Sequence, residues 1–128
     1  MSYLEHFSAD RADRIYVEVL NLLQVKKLYR QPGITARQVA DMIGEDHRAV
    51  SAALALQSGE NFLTLLSRLR VREACRLLKD SKQSEWSAET IGLRSGFASR
   101  QAFYLAFKRS TGMTPKQYRE QALGQQPS

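Results

Sequence analysis

The side chains best suited to recognising another molecule lie within residues 99–109, SRQAFYLAFKR. Phe103 and Phe107 are four residues apart and would share one face of a helix. Ala102 and Ala106 stand beside them, so we expect this side to pack inward. The remaining positions would then face outward: Arg100, Gln101, Tyr104, Leu105 and Lys108. Arginine matches the acceptor pair of guanine and glutamine matches adenine, so this face has the chemistry to read base edges in a DNA major groove.

Two cations, Lys108 and Arg109, come later in the same segment, where they suit contact with backbone phosphates. His47 is a third candidate for phosphate contact, with an ordinary surface histidine as an equal alternative. The histidines, the cysteine and the carboxylates form no cluster with metal-ligand spacing, and no glycine-rich loop would cradle a phosphate. We therefore expect no metal, no cofactor and no catalytic residue, and the function of an enzyme is disfavoured.

The same pattern occurs earlier in the chain, at almost constant spacing. Val39-Ala40 and Gly44 correspond to Ile91-Gly92 and Gly96, 52 residues later; Val50, Leu54 and Gly59 correspond to Phe103, Phe107 and Gly112, 53 residues later. Each copy predicts a helix, a tight turn, a second helix and a terminal glycine. Two such pairs, each with a polar second helix, are typical of a double helix-turn-helix protein that binds duplex DNA.

The outward face of the first copy is poorer in base-reading groups: His47, Arg48, Ser51, Ala52 and Ala55. Over both copies, the predicted base-reading residues are Arg48, Ser51, Ala52, Arg100, Gln101, Tyr104 and Leu105. Ala52 and Leu105 occupy equivalent positions, and either side chain could contact the methyl group of thymine. We expect the second copy to dominate recognition.

Seven helices and no strand are predicted, giving an all-α fold. The predicted helices are 11–30, one from the capping box Thr35-x-x-Gln38 to Gly44, 47–57, a long one capped by Asn61, 87–94, 100–111 after Ser99, and a last one opened by Thr114-Pro115-x-Gln117. The predicted segments are 1–34, the first helix-turn-helix at 35–59, a linker helix at 60–80, and the second helix-turn-helix with a closing helix at 87–123. On the long helix, Leu66, Leu69 and Leu77 should be buried.

The late motif residues are the most specific in the chain: Ile91, Gly96-Phe97, Phe103, Phe107-Lys108, Gly112, Thr114-Pro115 and Tyr118-Arg119. Matching residues before them are Ala40, Gly59, Phe62, Leu66, Arg70, Ala74 and Leu77-Leu78. From about Val39 to Arg119 the chain resembles the DNA-binding domain of the AraC/XylS family of bacterial transcription regulators. The resemblance implies a homeodomain-like fold, with two helix-turn-helix units joined by a rigid helix and one recognition helix in each of two major grooves. Family members commonly carry arginine where this chain has Ala52 and Leu105.

Charge and hydropathy fit a DNA-binding protein of the cytoplasm. Residues 1–46 carry a net charge of −1, and residues 47–128 carry +7. A polyanion would therefore meet the later two-thirds of the chain. The longest nearly apolar run, Ala49–Leu56, is too short to span a membrane, and the first residues lack a signal peptide. The single cysteine, Cys75, is expected to be a buried packing residue.

The leading hypothesis is a sequence-specific regulator of transcription that binds double-stranded DNA. One alternative is a protein-interaction module that docks a partner such as RNA polymerase, because the first copy is a poor reader. Another is a nonspecific architectural DNA binder. About 30 residues precede the first capping box, too few to enclose a small-molecule ligand. The chain is therefore expected to be a stand-alone regulator or the C-terminal domain of a larger sensor.

Overall fold

The computed structural model describes residues 7–124, which fold into helices and contain no β-strand. Seven α-helices follow one another in this part of the chain: α1 Ala9–Leu20, α2 Ala36–Ile43, α3 His47–Ser58, α4 Phe62–Lys79, α5 Ala88–Arg94, α6 Arg100–Thr111 and α7 Pro115–Gly124. The predicted all-α fold is thus confirmed. His6 and the last four residues of the tail lie outside the described range.

Local side-chain caps set most of these helix boundaries. Thr35 and Gln38 form the expected capping box, each side chain accepting a hydrogen bond from the other's backbone N–H. The same reciprocal pair is formed by Thr114 and Gln117 at the start of α7. Asn61 Oδ1 accepts from the Thr64 amide at 2.8 Å, which starts α4 at the predicted place. Because each cap is read from three or four consecutive residues, the sequence predicted these boundaries correctly.

The prediction of one continuous helix over 11–30 was wrong. α1 is capped by Ser8 and ends at Leu20; a π-helical turn, Asn21–Val25, and a 3-10 turn, Leu28–Arg30, follow it. Lys27, between these turns, has a φ of 62°. The guanidinium of Arg70 binds the carbonyl oxygens of Tyr29 at 2.8 Å and Gln31 at 2.9 Å, so these acceptors serve a distant side chain instead of continuing a helix.

The chain divides into two compact units, and the division falls inside α4. The first unit contains Met1–Leu28 and Gly33–Leu66, and the second contains Tyr29–Pro32 and Ser67–Ser128.

The first unit is built around α1, α2 and α3. Its fully buried side chains include Ile15, Val19, Leu23, Val39, Val50 and Leu54. A polar contact also ties α1 to the turn after α2, because Arg11 Nη2 lies 2.6 Å from Glu45 Oε2. Phe62, Leu65 and Leu66, from the start of α4, are buried as well. The inward positions predicted for α3, Val50 and Leu54, are confirmed.

The core of the second unit is an aromatic and aliphatic cluster: Val71, Ala74, Leu77, Leu78, Ile91, Phe97, Phe103 and Phe107. The ring centroids of Phe97 and Phe103 lie 5.2 Å apart, and Phe107 meets Tyr118 edge-on at 5.4 Å. The burial predicted for Leu66, Leu69 and Leu77 is confirmed. Cys75 packs against this cluster but is half-buried, and burial raises the pKa of its thiol.

Close contacts in the second unit leave no room for a side chain at two of its glycines. A Cβ on Gly92 would lie 2.4 Å from the ring of Phe103, so α5 and α6 approach more closely than an alanine allows. Gly96 has a φ of 107°, and a Cβ there would lie 2.2 Å from the carbonyl oxygen of Tyr29. The turn between α5 and α6 is therefore specific for glycine for both conformational and steric reasons.

A buried carboxylate, Glu73, connects α4 of the second unit to the segment Tyr29–Pro32. Its Oε2 accepts hydrogen bonds from the Tyr29 hydroxyl and the Arg30 guanidinium, and its Oε1 accepts from Arg76 Nε at 2.6 Å. Burial alone would raise the pKa of Glu73, but the hydrogen bonds from Arg76, Arg30 and Tyr29 outweigh it and lower the pKa to about 2. Glu73 is thus ionised in the folded protein at neutral pH, where it anchors three donors.

Among residues 7–124, no helix is both long enough and apolar enough to cross a membrane.

Candidate DNA interface

Helix α6 exposes one face and buries the opposite one. Ser99 caps the helix by accepting a hydrogen bond from the Ala102 amide at 3.1 Å. Phe103 and Phe107 are completely buried, as expected from their spacing. Five of the predicted recognition and phosphate residues are exposed: Arg100, Gln101, Leu105, Lys108 and Arg109. The side chain of Leu105 is 63% exposed.

Two predictions for α6 were wrong in detail. Ala102 was expected on the inward side but is exposed. Tyr104 was expected to face outward but is half-buried, because its ring packs against Phe103 with centroids 5.6 Å apart. The ring of Tyr104 also lies beneath Arg100, whose guanidinium carbon is 4.8 Å from the ring centroid.

The exposed face of α6 borders an open depression of about 540 Å³. It is lined by Gln101, Tyr104, Leu105, Lys108 and Arg109, all from this one helix. Polar hydrogen-bonding groups stand at its N-terminal end, an apolar side chain at its middle, and cations at its C-terminal end. Such an order of groups can meet base edges, a thymine methyl group and phosphates in turn.

Arg100 is held by a neighbouring helix. Its Nε lies 3.1 Å from Oε1 of Glu89 on α5, and the hydroxyl of Tyr104 donates to the same oxygen at 3.0 Å. The pKa of Glu89 lies below its ordinary value, first because the backbone amide of Glu89 itself donates to the carboxylate and then because Tyr104 does. Glu89 could not be predicted from the sequence, because no local spacing relates two residues that are 11 positions apart and lie on different helices.

Helix α3 exposes fewer recognition groups than α6, as expected. His47, Arg48, Ser51 and Ala55 are exposed, but Ala52 is only 5% exposed. The prediction that Ala52 faces outward to read a base was therefore wrong.

The N-terminus of α3 carries a carboxylate cap. Asp46 Oδ1 accepts from the Ala49 amide at 2.8 Å, and this hydrogen bond lowers the pKa of Asp46. The negative charge next to His47 and Arg48 opposes close approach of a phosphate to this helix end. Ser99, the corresponding cap of α6, is uncharged, so α6 has the more favourable end for an anion.

The change in repeat spacing from 52 to 53 residues lies in the turn. Asp46 caps α3 two residues after Gly44, whereas Ser99 caps α6 three residues after Gly96. Before this point the two turns share a backbone hydrogen bond, from Glu45 to Ala40 and from Phe97 to Gly92. Glu45 therefore occupies the place of Phe97: the first binds the arginines of α1, and the second packs into the core.

The family of this domain follows from its match to a known family model. Residues 39–121 match the model of a helix-turn-helix domain, which covers more than half of the chain. The chain belongs to the AraC-type helix-turn-helix family. The matched range contains α3 and α6 and both turns, so the duplicated motif lies within the AraC-type domain. A comparison with curated protein sequences finds no significant match.

Solved structures show the same homeodomain-like architecture. The C-terminal domain of AraT, a response regulator from Geobacillus stearothermophilus, is 25% identical, with a TM-score of 0.71 over 91% of this chain and 88% of that one. An AraC-type transcriptional regulator from Chromobacterium violaceum is 21% identical, with a TM-score of 0.75 over 91% of this chain and 97% of that one. The AraC-type fold and the resemblance seen in the sequence are thus confirmed, and with them DNA-binding transcription regulation as the general function of the domain.

Groups of three or more histidines, cysteines or carboxylates that could hold a metal ion do not occur in the described part of the chain.

Proposed function

We propose that this AraC-type domain is a sequence-specific regulator of transcription that inserts α3 and α6 into successive major grooves of duplex DNA. The observation that carries the proposal is the exposed face of α6, where Arg100, Gln101 and Leu105 are followed by Lys108 and Arg109. Base-reading and phosphate-binding groups thus share one helix face, opposite a buried one. The two reading units are residues 35–59 and 87–123.

The exposed residues of α6 have different proposed roles. Arg100 and Gln101, in its first turn, read base edges by paired hydrogen bonds. Leu105, one turn later, packs against the methyl group of thymine. Lys108 and Arg109 bind phosphates and hold the helix in register. No catalytic group, metal or cofactor is needed for this function.

The contribution of α3 is smaller. Arg48 and Ser51 are its exposed candidates for base contact, and His47, at its N-terminal end, is a candidate for phosphate contact. Ala52, which is 5% exposed, is not among the residues to which we assign a base contact. We expect the half-site bound by α3 to carry less sequence information than the half-site bound by α6. RNA polymerase is a further partner of a transcription regulator, and we assign no surface of this chain to it.

Selection from a pool of random duplexes tests the proposal. The protein is incubated with the pool, bound DNA is recovered from a gel shift, and the recovered sequences are aligned after several rounds. Sequence-specific binding yields a motif with the stronger conservation in one half-site. Binding without a motif would favour an architectural DNA binder, and no binding would favour a protein-interaction module, so either result contradicts the proposal.

A further inference from the structure

Arg100 is contacted on two sides, by Glu89 and by Tyr104. Its Nε faces Oε1 of Glu89, and its guanidinium plane lies over the ring of Tyr104. The printed geometry places the hydrogen bond to Glu89 on Nε, and Tyr104, through a side-chain hydrogen bond, is the main cause that raises the pKa of Arg100. Paired recognition of guanine O6 and N7 uses two parallel N–H donors of one guanidinium edge. The side chain is thus bound at Nε and on one face of its guanidinium plane.

Glu89 receives two side-chain hydrogen bonds. The same carboxylate oxygen accepts from Arg100 and from the hydroxyl of Tyr104, and the side chain of Glu89 is 43% exposed, against 67% for that of Arg100. Tyr104 in turn is held by the edge-on contact of its ring with Phe103, which is completely buried. A chain of contacts therefore runs from the core of the second unit, through Tyr104 and Glu89, to the arginine on its surface.

A long arginine loses considerable conformational freedom when it is fixed on DNA. A side chain that is already restrained in the free protein loses less conformational entropy on binding. The resulting gain in binding free energy applies only to a base that fits the restrained geometry. We propose that Glu89 and Tyr104 are positioning residues that preorganise Arg100 to read a guanine in the half-site bound by α6. This inference rests on the proposed function and assigns Tyr104 a supporting role instead of a base contact.

An opposite role for the same ion pair makes a different prediction. If Glu89 merely competed with DNA for Arg100, its removal would strengthen binding to the selected site and leave base discrimination unchanged. If Glu89 positions Arg100, its removal weakens discrimination, although the loss of one negative charge strengthens binding to any DNA. Discrimination between bases, not affinity alone, separates the two roles.

The test compares Glu89→Gln with Glu120→Gln. Both substitutions remove one negative charge, and both residues line the same surface depression of about 340 Å³, but the ion pair of Arg100 is with Glu89 and not with Glu120. Binding constants are measured for the wild-type motif and for duplexes with each other base at its guanine positions. A paired arginine contact discriminates about 5- to 150-fold. If the preorganised geometry supplies about half of that free energy, Glu89→Gln should lower the discrimination at one guanine by about 2- to 12-fold, and Glu120→Gln should leave it unchanged.

Two further measurements separate positioning from a loss of folding. Tyr104→Phe keeps the ring and removes only the hydroxyl, so it should weaken discrimination at the same guanine without lowering the melting temperature appreciably. In the free protein, the Nε–H resonance of Arg100 should be protected from exchange and should lose that protection in Glu89→Gln. Unchanged or improved discrimination in Glu89→Gln would overturn the inference. If the wild type selected no motif at all, the proposed function would fail instead.

Discussion

The exposed residues of α6 differ in the kind of contact that their side chains can make with DNA. Arg100 and Gln101 carry paired hydrogen-bonding groups, whereas Lys108 offers a point charge on a flexible chain. A point charge neutralises a phosphate of any sequence, so its effect depends on salt and not on the base pair. The two kinds of contact should therefore be separable by mutation.

Lys108→Ala should weaken binding to the selected site and to random DNA by similar factors. It should also flatten the slope of log affinity against log salt concentration by about one unit, because one phosphate contact is lost. Arg100→Ala should instead weaken the selected site by about 1–3 kcal/mol more than random DNA. Titrations of both variants over a salt series measure both effects. A Lys108→Ala protein that lost its sequence preference but kept its affinity for random DNA would contradict this division.

The exposure of individual residues was harder to predict than their position along a helix. The pattern of α3 located Val50 and Leu54 in the core, yet it misplaced Ala52, since the exposure of an alanine depends on how far its neighbours project. Glu89 could not be found at all, because its partner Arg100 lies on another helix. The contact of Tyr104 with Arg100, by contrast, follows an i, i+4 spacing that the sequence does contain.

Helix boundaries that depend on neighbouring residues were predicted correctly, whereas a boundary that depends on a distant contact was missed. The caps at Asn61, Ser99 and Thr114 are formed by neighbouring residues, so the helices that follow them begin where the sequence predicts. The end of α1 was mispredicted because the carbonyls after it bind Arg70, some 40 residues away in the chain. No pattern of hydrophobic residues records such a contact.

The two turn glycines provide a test at this scale. Gly44→Ala introduces a Cβ into open space and should cost only the left-handed conformation, about 1–2 kcal/mol. Gly96, with a φ of 107°, lies further from any region open to alanine, and an added Cβ would also collide with the carbonyl of Tyr29, so we expect a larger loss of stability for Gly96→Ala than for Gly44→Ala. Urea unfolding followed by circular dichroism, and by the fluorescence of the single tryptophan, Trp86, measures both variants. Equal losses of stability in the two variants would show that the turn between α5 and α6 accommodates the added Cβ, which would contradict this prediction.

Positive charge is unevenly distributed along the whole chain, and the carboxylate of Glu73 is buried. Residues 47–128 hold the whole net excess of cations, yet Glu73 is 6% exposed and binds two arginines within the second unit. Those two guanidinium groups serve the fold. The count of lysines and arginines therefore overstates the positive charge that is not already paired within the fold.

Acid should destabilise the protein through Glu73. The pKa of this carboxyl is about 2 in the folded state and about 4.5 when unfolded, so its contribution is complete above the unfolded value and is lost as the pH falls toward 2. At neutral pH, Glu73→Gln should cost about 1.5–3 kcal/mol, the contribution of a hydrogen bond to a charged group. The difference from wild type should shrink as the pH falls from 4.5 toward 2, as measured by thermal melts. Glu85→Gln, in an exposed loop, is the control and should show no such trend; a difference for Glu73→Gln that is constant with pH would refute the role of its charge.

The close approach of Gly92 to Phe103 limits how the two halves of this duplicated chain can be recombined. The corresponding residues of the first half are Ala40, which is larger than Gly92, and Val50, which is smaller than Phe103. A chimera that joined α2 of the first half to α6 would set an alanine methyl against the phenylalanine ring, which already lies 2.4 Å from where that methyl would be. Each first helix is therefore matched to its own second helix. A designer who wishes to change the DNA site of this protein must transplant a complete helix-turn-helix pair, or else alter only side chains on the outer surface.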